Sequence, residues 1–132
     1  MDFSDIVQPG MSREDMFEVE EAHTAMHLGS GASRVLATPW MIAFMERTCH
    51  RLLAGLLPAG YSSVGILVNI RHLAACSVGS RIKVIGEIES VNGLKVMFNV
   101  SAWNGETLIG KGQHERYIID EQRFLSKLNN QK

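Results

Sequence analysis

The pattern of apolar and polar residues predicts one long amphipathic helix in the first half of the chain. Thr38-Pro39 is typical of a helix start, because threonine can cap free backbone amides and proline is favoured at the first helical position. At about 100° per residue, one arc of this helix is apolar and contains Met41, Ile42, Met45, Cys49, Leu52, Leu53 and Leu56. Glu46 lies at the edge of that arc, and Pro58 and Gly60 end the helix.

Alternation of apolar and polar residues predicts antiparallel strands in the second half of the chain. The first of these strands has one face formed by Val64, Ile66, Val68, Ile70 and His72. Asn92-Gly93 and Asn104-Gly105 lie between alternating segments, which is a strong hairpin signal. The last strand is predicted from about Thr107 to Ile119. A further strand is predicted within Met16–Met26, before the flexible turn Gly29-Ser30-Gly31.

One apolar helix followed by four long strands predicts an α+β fold in which a curved antiparallel sheet wraps around a central helix. Such a sheet leaves an open edge strand, which a protein must cover or pair. Pairing with a second copy of the chain is a common solution. We therefore expect a homodimer, and the sequence leaves open whether two dimers form a tetramer.

The length of the chain fits a single domain that spans residues 1–132. Residues 1–12 are expected to form a loose N-terminal lead-in, with Pro9-Gly10 as a turn. Residues 125–132 are expected to form a polar tail that frays.

The charge and the cysteines of the chain limit the classes of binding partner and the cellular compartment that we expect for it. The net charge is -1, with 13 basic and 14 acidic residues, so the chain offers no basic field for nucleic acid or an anionic membrane. The first residues lack the pattern of a signal peptide, and no apolar run approaches the ~20 residues that span a bilayer. Cys49 and Cys76 are far apart, which fits reduced thiols. We expect a cytoplasmic protein.

Three side chains that handle protons occupy special positions in these apolar segments. Thr38 opens the helix, Glu46 borders its apolar stripe, and His72 lies on the apolar face of a strand. A hydroxyl, a carboxylate and an imidazole are the groups that acyl-transfer chemistry uses. Each also has a structural interpretation: Thr38 as a helix cap, Glu46 as a solvated residue paired with His50, and His72 as a core histidine.

The segments around these residues have a distinctive order: His27-Leu28-Gly29-Ser30-Gly31, Val35-Leu36-Ala37-Thr38-Pro39, Met45-Glu46, Val64-Gly65, Arg71-His72-Leu73-Ala74 and Gly112-Gln113-His114-Glu115-Arg116. Together they resemble the hotdog-fold thioesterases typified by fluoroacetyl-CoA thioesterase. The resemblance covers the chain from about Val19 to Phe124. It is specific because eight residues separate Thr38 from Glu46 and twenty-six separate Glu46 from His72.

The resemblance implies a hotdog dimer whose active sites lie at the subunit interface and hydrolyse acyl-CoA thioesters. Thr38, Glu46 and His72 match the family's catalytic residues, and Gly65 matches the glycine whose amide contacts the thioester carbonyl. No cofactor is implied beyond the coenzyme A of the substrate. Gly29-Ser30-Gly31-Ala32 lacks the phenylalanines that cover the acyl group in the fluoroacetyl-specific enzyme. Selectivity for a fluorinated acetyl group is therefore not expected.

Coenzyme A carries phosphates, so basic side chains should rim its pocket. The candidates are Arg34, Arg71, Lys111 and Arg116. No metal is expected, because carboxylate and cysteine ligands at the usual spacings do not accompany the histidines His23, His27 and His114.

Two other functions remain open on the same fold. One is a non-catalytic acyl-CoA-binding or regulatory protein. The other is an enoyl-CoA hydratase, which is less favoured because the usual Asp and His a few residues apart are absent.

The role of Thr38 also remains open, since it either positions water or accepts the acyl group transiently. About 12 Å separate Thr38 from Glu46 along a straight helix. A bend before the helix, His72, a water molecule or the partner subunit must therefore bridge the two side chains.

Overall fold

A 19-residue helix lies against a five-stranded antiparallel sheet in the computed structural model, which describes residues 2–130. In chain order the elements are β1 (Ser12–Glu18), a 3-10 turn (Glu21–His23), α1 (Ala25–Leu28), α2 (Thr38–Leu56), β2 (Tyr61–His72), β3 (Arg81–Asn92), β4 (Lys95–Asn104), β5 (Thr107–Asp120) and α3 (Glu121–Asn129). The strand order is β1-β3-β4-β5-β2, so β1 and β2 are the edges. The predicted α+β architecture is confirmed.

The hydrophobic core lies between α2 and one face of the sheet. The helix buries Met41, Phe44, Met45, Thr48, Cys49 and Leu53. Alternate residues of β3 and β4 pack against them, among which are Ile82, Val84, Ile88, Val96, Phe98 and Val100. Gly110 of β5 permits a close approach of the helix, because a Cβ atom there would lie 2.5 Å from Met41 Cε. Burial of this apolar surface, at about 25 cal/mol per Å², is the main force that holds α2 on the sheet.

The start of α2 differs from the prediction in one respect. Pro39 lies in the first turn as expected, but the N-cap residue is Ala37, and no side chain caps this end of the helix. The helix-cap interpretation of Thr38 is therefore wrong, because Thr38 is already inside the helix and its hydroxyl is directed elsewhere. The helix ends at Leu56, before Pro58. Within residues 2–130, no helix is both long and apolar enough to cross a membrane.

Both predicted hairpins are confirmed. Gly93 connects β3 to β4 with a φ of 64°, and Gly105 connects β4 to β5 with a φ of 61°. These angles lie in the left-handed region that glycine adopts without a steric cost.

The strand predicted within Met16–Met26 is wrong in its bounds. β1 spans Ser12–Glu18, and the chain then forms the 3-10 turn and α1. Local hydrogen bonds explain the change: the His23 side chain accepts from the Glu20 amide, and the Thr24 hydroxyl accepts from the His27 amide. Such side-chain bonds to nearby backbone compete with strand pairing.

Both chain ends are more ordered than the sequence suggests. Phe3 and Val7 are buried, and the Phe3 ring packs edge-on against Tyr61 with 5.1 Å between centroids, so the loose lead-in is a wrong prediction. The predicted polar tail contains the last turns of α3 up to Asn129. The Asp120 carboxylate caps this helix by accepting from the Arg123 amide. The last two positions of the predicted tail lie outside the described residues.

Candidate active site

Thr38 and His72 form a direct contact between the start of α2 and the end of β2. The Thr38 hydroxyl oxygen lies 2.7 Å from Nδ1 of His72. When Nδ1 carries no proton, it accepts the hydroxyl proton and makes His72 a base for Thr38. Nε2 of His72 is buried and makes no hydrogen bond within the described part of the chain. The two side chains therefore have the geometry of a hydroxyl paired with a general base.

The Thr38–His72 pair lines a cavity of about 440 Å³. Most of the other lining residues are small or apolar: Ala25, Ser30, Val35, Leu36, Ala37, Pro39, Leu73, Ala74 and Ala75. A cavity with one reactive pair and an apolar wall suits a small acyl group better than a charged one.

Glu46 lies two turns further along α2, in a second polar cluster. A Cβ atom at Gly65 would lie 2.9 Å from Oε2 of Glu46 and 3.0 Å from Cε1 of His114. Oε2 of Glu46 also lies 4.0 Å from Nη1 of Arg116. Gly65 thus leaves the space that the carboxylate occupies, which explains a glycine inside an apolar strand.

The two clusters lie apart within one chain. Thr38 and Glu46 belong to one continuous helix and are about 12 Å apart along its axis. Gly65 and His72 belong to one strand and are about 20 Å apart along it. A single chain therefore brings Thr38 to His72 and Glu46 to Gly65, but it does not bring the two pairs together.

The candidate basic residues differ in their surroundings. Arg34 is exposed and pairs with Glu21, with 2.9 Å from Nε to Oε1. Arg71 lies directly opposite Lys111 in the β2–β5 ladder, on the sheet face that alternates away from His72. Both of these side chains line a shallow cavity of about 500 Å³.

Arg116 is buried in the single chain, unlike the exposed position expected for a residue at the rim of a pocket. Its side chain is only 7% exposed and is bonded inside the protein to Ser63 and His114. Period-two alternation on β5 places Arg116 and His114 on the same inward face. Two polar residues on the inward face of a strand are a signal that the sequence contains, but the approach of Arg116 to Glu46 depends on how α2 packs on the sheet.

Burial shifts the pKa values of several groups near these clusters. Desolvation lowers the pKa of His72, and the nearby backbone of Ala74 opposes this shift. Desolvation also lowers the pKa of His114 and of His50, assisted by the nearby Arg116 charge. Burial raises the pKa of Cys49 to about 12, so this thiol is not a nucleophile near neutral pH.

The lowered pKa values predict that the protein loses stability as the pH falls below about 6.5. In that range the unfolded chain binds protons at His50, His72 and His114 before the folded chain does, so the free energy of unfolding decreases with decreasing pH. Thermal unfolding between pH 7.5 and 5.5 measures this slope. His72→Ala should have a smaller slope than the wild type, and an unchanged slope would contradict the assignment.

The chain is similar to known thioesterases in sequence and in structure. Residues 19–122 match the family of fluoroacetyl-CoA-specific thioesterases. The fluoroacetyl-CoA thioesterase of Streptantibioticus cattleyicolor is 37% identical over 94 residues, which cover 71% of this chain and 68% of that protein. A solved structure of the fluoroacetyl-CoA thioesterase aligns with a TM-score of 0.87 at 31% identity, covering 96% of this chain and 98% of that one.

Two further solved structures extend the comparison. A variant of the fluoroacetyl-CoA-specific thioesterase in complex with fluoroacetate and CoA aligns with a TM-score of 0.84 at 33% identity, over 89% of this chain and 99% of that one. A hot-dog-like protein from Thermanaerovibrio acidaminovorans aligns with a TM-score of 0.91 at 20% identity, over 99% and 97% of the two chains. This second likeness concerns the fold alone. The predicted hotdog fold is confirmed, and the chain belongs to the fluoroacetyl-CoA-specific thioesterase family, a family of thioester hydrolases.

Proposed function

We propose that this protein is an acyl-CoA thioesterase whose site combines Thr38 and His72 of one subunit with Glu46 and Gly65 of a second. The observation that carries this proposal is the 2.7 Å contact between the Thr38 hydroxyl and His72 Nδ1 at the cavity. It is the arrangement that a hydroxyl or a water molecule needs to lose a proton during attack on a carbonyl carbon.

The exposed edge of the sheet supports a homodimer. Ile66, Leu67 and Val68 lie in the middle of edge strand β2 and are 47%, 41% and 46% exposed in the single chain. A long apolar edge with free backbone groups is a template for pairing with another strand. A second copy of β2 covers both the apolar side chains and the unpaired backbone.

The spacing of the two clusters supports a specific register for that pairing. If β2 pairs antiparallel with its copy about a two-fold axis at Asn69, and the bulge leaves Ile66 out of the ladder, Gly65 lies opposite His72 of the partner subunit. Glu46 packs over Gly65 and Thr38 contacts His72. The same two-fold therefore joins the two clusters into one site and generates two equivalent sites per dimer.

The chemistry assigned to each group follows from its position. The Gly65 amide donates to the thioester carbonyl oxygen, and the bulge between Gly65 and Leu67 supports this role because it interrupts the ladder there. Such a donor contributes about 3–4 kcal/mol to lowering the barrier. Glu46 and His72 take the proton of the attacking oxygen and return it to the sulfur when the carbon–sulfur bond breaks. The products are a carboxylic acid and free coenzyme A.

Two routes to these products differ in the attacking oxygen. In the first, Thr38 positions a water molecule that attacks the carbonyl directly. In the second, the Thr38 oxygen attacks, and water then hydrolyses the resulting acyl ester. The second route produces a burst of thiol and an acylated Thr38 that mass spectrometry detects, whereas the first produces neither.

A panel of CoA esters with acyl chains of graded length tests the proposed function. Release of free thiol, followed with an Ellman-type reagent, is the expected result. Saturable binding without thiol release would instead identify a non-catalytic acyl-CoA-binding protein. Loss of the absorbance of an enoyl-CoA ester, without thiol release, would identify a hydratase.

The same panel tests the selectivity of the cavity. Its wall near Thr38 includes Ala25 and Ser30, and no phenylalanine lines it. We expect acetyl-CoA and fluoroacetyl-CoA to be hydrolysed with similar efficiency, because a small open cavity does not discriminate strongly between a hydrogen and a fluorine atom.

A lysine at the centre of edge strand β2 is expected to separate the subunits. Val68→Lys places a charge in the proposed interface, and burying two unpaired charges there is costly. Sedimentation should detect a monomer with unchanged circular dichroism and little thiol release. Leu125→Lys is the matched control, because Leu125 is 50% exposed but lies on α3. A dimeric Val68→Lys variant would contradict the pairing through β2.

A further inference from the structure

A buried histidine on β5 joins the strand segments on either side of the β2 bulge. His114 is 1% exposed and lies opposite Val68 in the β2–β5 ladder. The bulge itself lies between Gly65 and Leu67, where the register of this ladder shifts. A buried polar side chain costs stability unless its hydrogen bonds are satisfied, so the partners of His114 indicate its role.

Both ring nitrogens of His114 have partners, and the partners fix one tautomer. Nδ1 lies 2.8 Å from the Leu67 carbonyl oxygen, which only accepts, so Nδ1 carries the proton. Nε2 lies 3.1 Å from Nη1 of Arg116, which only donates, so Nε2 accepts. The ring is therefore neutral and held at both ends.

Arg116 holds β2 on the other side of the bulge. Its Nε donates to the Ser63 hydroxyl at 2.8 Å, and its Nη2 donates to the Ser63 carbonyl oxygen at 3.0 Å. A continuous series of hydrogen bonds thus fixes β2 before and after Gly65. It runs from Ser63 through Arg116 and His114 to Leu67. A strand segment fixed at both ends has little freedom to rotate the peptide groups between them.

Gly65 and Glu46, the two residues of this cluster with a proposed catalytic role, lie next to His114 and Arg116. A Cβ atom at Gly65 would lie 3.0 Å from Cε1 of His114 and 3.5 Å from Nη1 of Arg116. The same Nη1 lies 4.0 Å from Oε2 of Glu46. The hydrogen bond from Arg116 to His114 therefore sets where the guanidinium charge stands relative to the Glu46 carboxylate.

We propose that His114 is a positioning residue for thioester hydrolysis, which it supports by fixing the Gly65–Leu67 bulge through the Leu67 carbonyl and the Arg116 guanidinium beside Glu46. This inference rests on the proposed thioesterase function. His114 does not exchange a proton with the substrate. It holds the Gly65 amide and the Glu46 carboxylate in the orientation that the reaction needs, and a shift of about 1 Å in such groups can cost ~10²-fold in rate.

Three substitutions separate the two hydrogen bonds of His114. His114→Phe removes both and is expected to lower kcat by ~10–10²-fold while KM changes by less than about 3-fold. His114→Asn restores a donor toward the Leu67 carbonyl, and we expect it to recover at least ~5-fold of the loss. His114→Gln restores an acceptor toward Arg116 and should recover less, because the bulge stays unfixed. Amide hydrogen exchange at Ile66 and Leu67 should be faster in His114→Phe and near wild type in His114→Asn.

Ile82→Val is the matched control, because Ile82 is fully buried on β3 and lies outside the cluster. It should lower Tm with unchanged kcat and unchanged exchange at Ile66 and Leu67. A His114→Phe variant that loses Tm but keeps the wild-type kcat would overturn the positioning role and leave the thioesterase proposal intact. A wild-type protein without thiol release would overturn the proposed function itself. If His114→Phe does not fold, equal kcat values for wild type, His114→Asn and His114→Gln would overturn the positioning role.

Discussion

Replacement of His72 or Glu46 by alanine is expected to lower the turnover of a CoA ester by ~10²–10⁴-fold with the fold retained. His72 contacts the Thr38 hydroxyl, and its removal leaves no base beside the attacking oxygen. Glu46 has a side chain that is 43% exposed in the single chain, so its removal takes little packing from the core. The expected loss is therefore catalytic and not structural.

Thiol release at saturating substrate measures this loss, with circular dichroism and sedimentation as checks on fold and assembly. His50→Ala and Arg47→Ala are the matched controls, because both residues are exposed on α2 beside Glu46. They should retain turnover close to that of the wild type. Wild-type turnover in both His72→Ala and Glu46→Ala would remove the roles assigned to these residues.

Mixing the two inactive variants is expected to restore about a quarter of the wild-type activity. In a mixed dimer, the Glu46→Ala subunit supplies an intact Thr38 and His72, and the His72→Ala subunit supplies an intact Glu46. One of the two sites is then complete and the other lacks both groups. Random exchange of subunits makes about half of the dimers mixed, which yields about one quarter of the wild-type sites.

The recovery is measured as thiol release after the variants are mixed under conditions that permit subunit exchange. Thr38→Ala mixed with His72→Ala is the control, because both residues belong to the same half of the site and no mixed dimer has a complete set. This control should show no recovery. Equal recovery of activity in both mixtures would contradict a site that is shared between subunits. The absence of recovery in both mixtures would contradict it as well.

The sequence predicts most of the fold because the elements depend on local periodicity. The stripe of α2 and the alternation of β3 and β4 are visible in the order of residues alone. The hairpins at Gly93 and Gly105 follow from turn chemistry, which is also local. The error at Met16–Met26 has a local cause that periodicity does not include, namely the side-chain bonds of His23 and Thr24 to the backbone.

The candidate site is predictable only in part. The spacing of Thr38, Glu46 and His72 identifies the family, but it does not reveal that Thr38 contacts His72 and not Glu46. The cluster of His114 and Arg116 depends on the shifted register between β2 and β5, which is a long-range pairing. Period-two alternation indicates which face these residues share, and only the pairing indicates what they touch.

The position of Gly65 and His72 on the same edge strand has a consequence for how the activity depends on protein concentration. In the proposed dimer, β2 forms the interface between the subunits, and the same strand positions the reacting groups relative to one another. The monomer is then inactive, and association with a second subunit completes the site. Specific activity should decline on dilution below the dissociation constant of the dimer, so the enzyme itself reports its state of assembly.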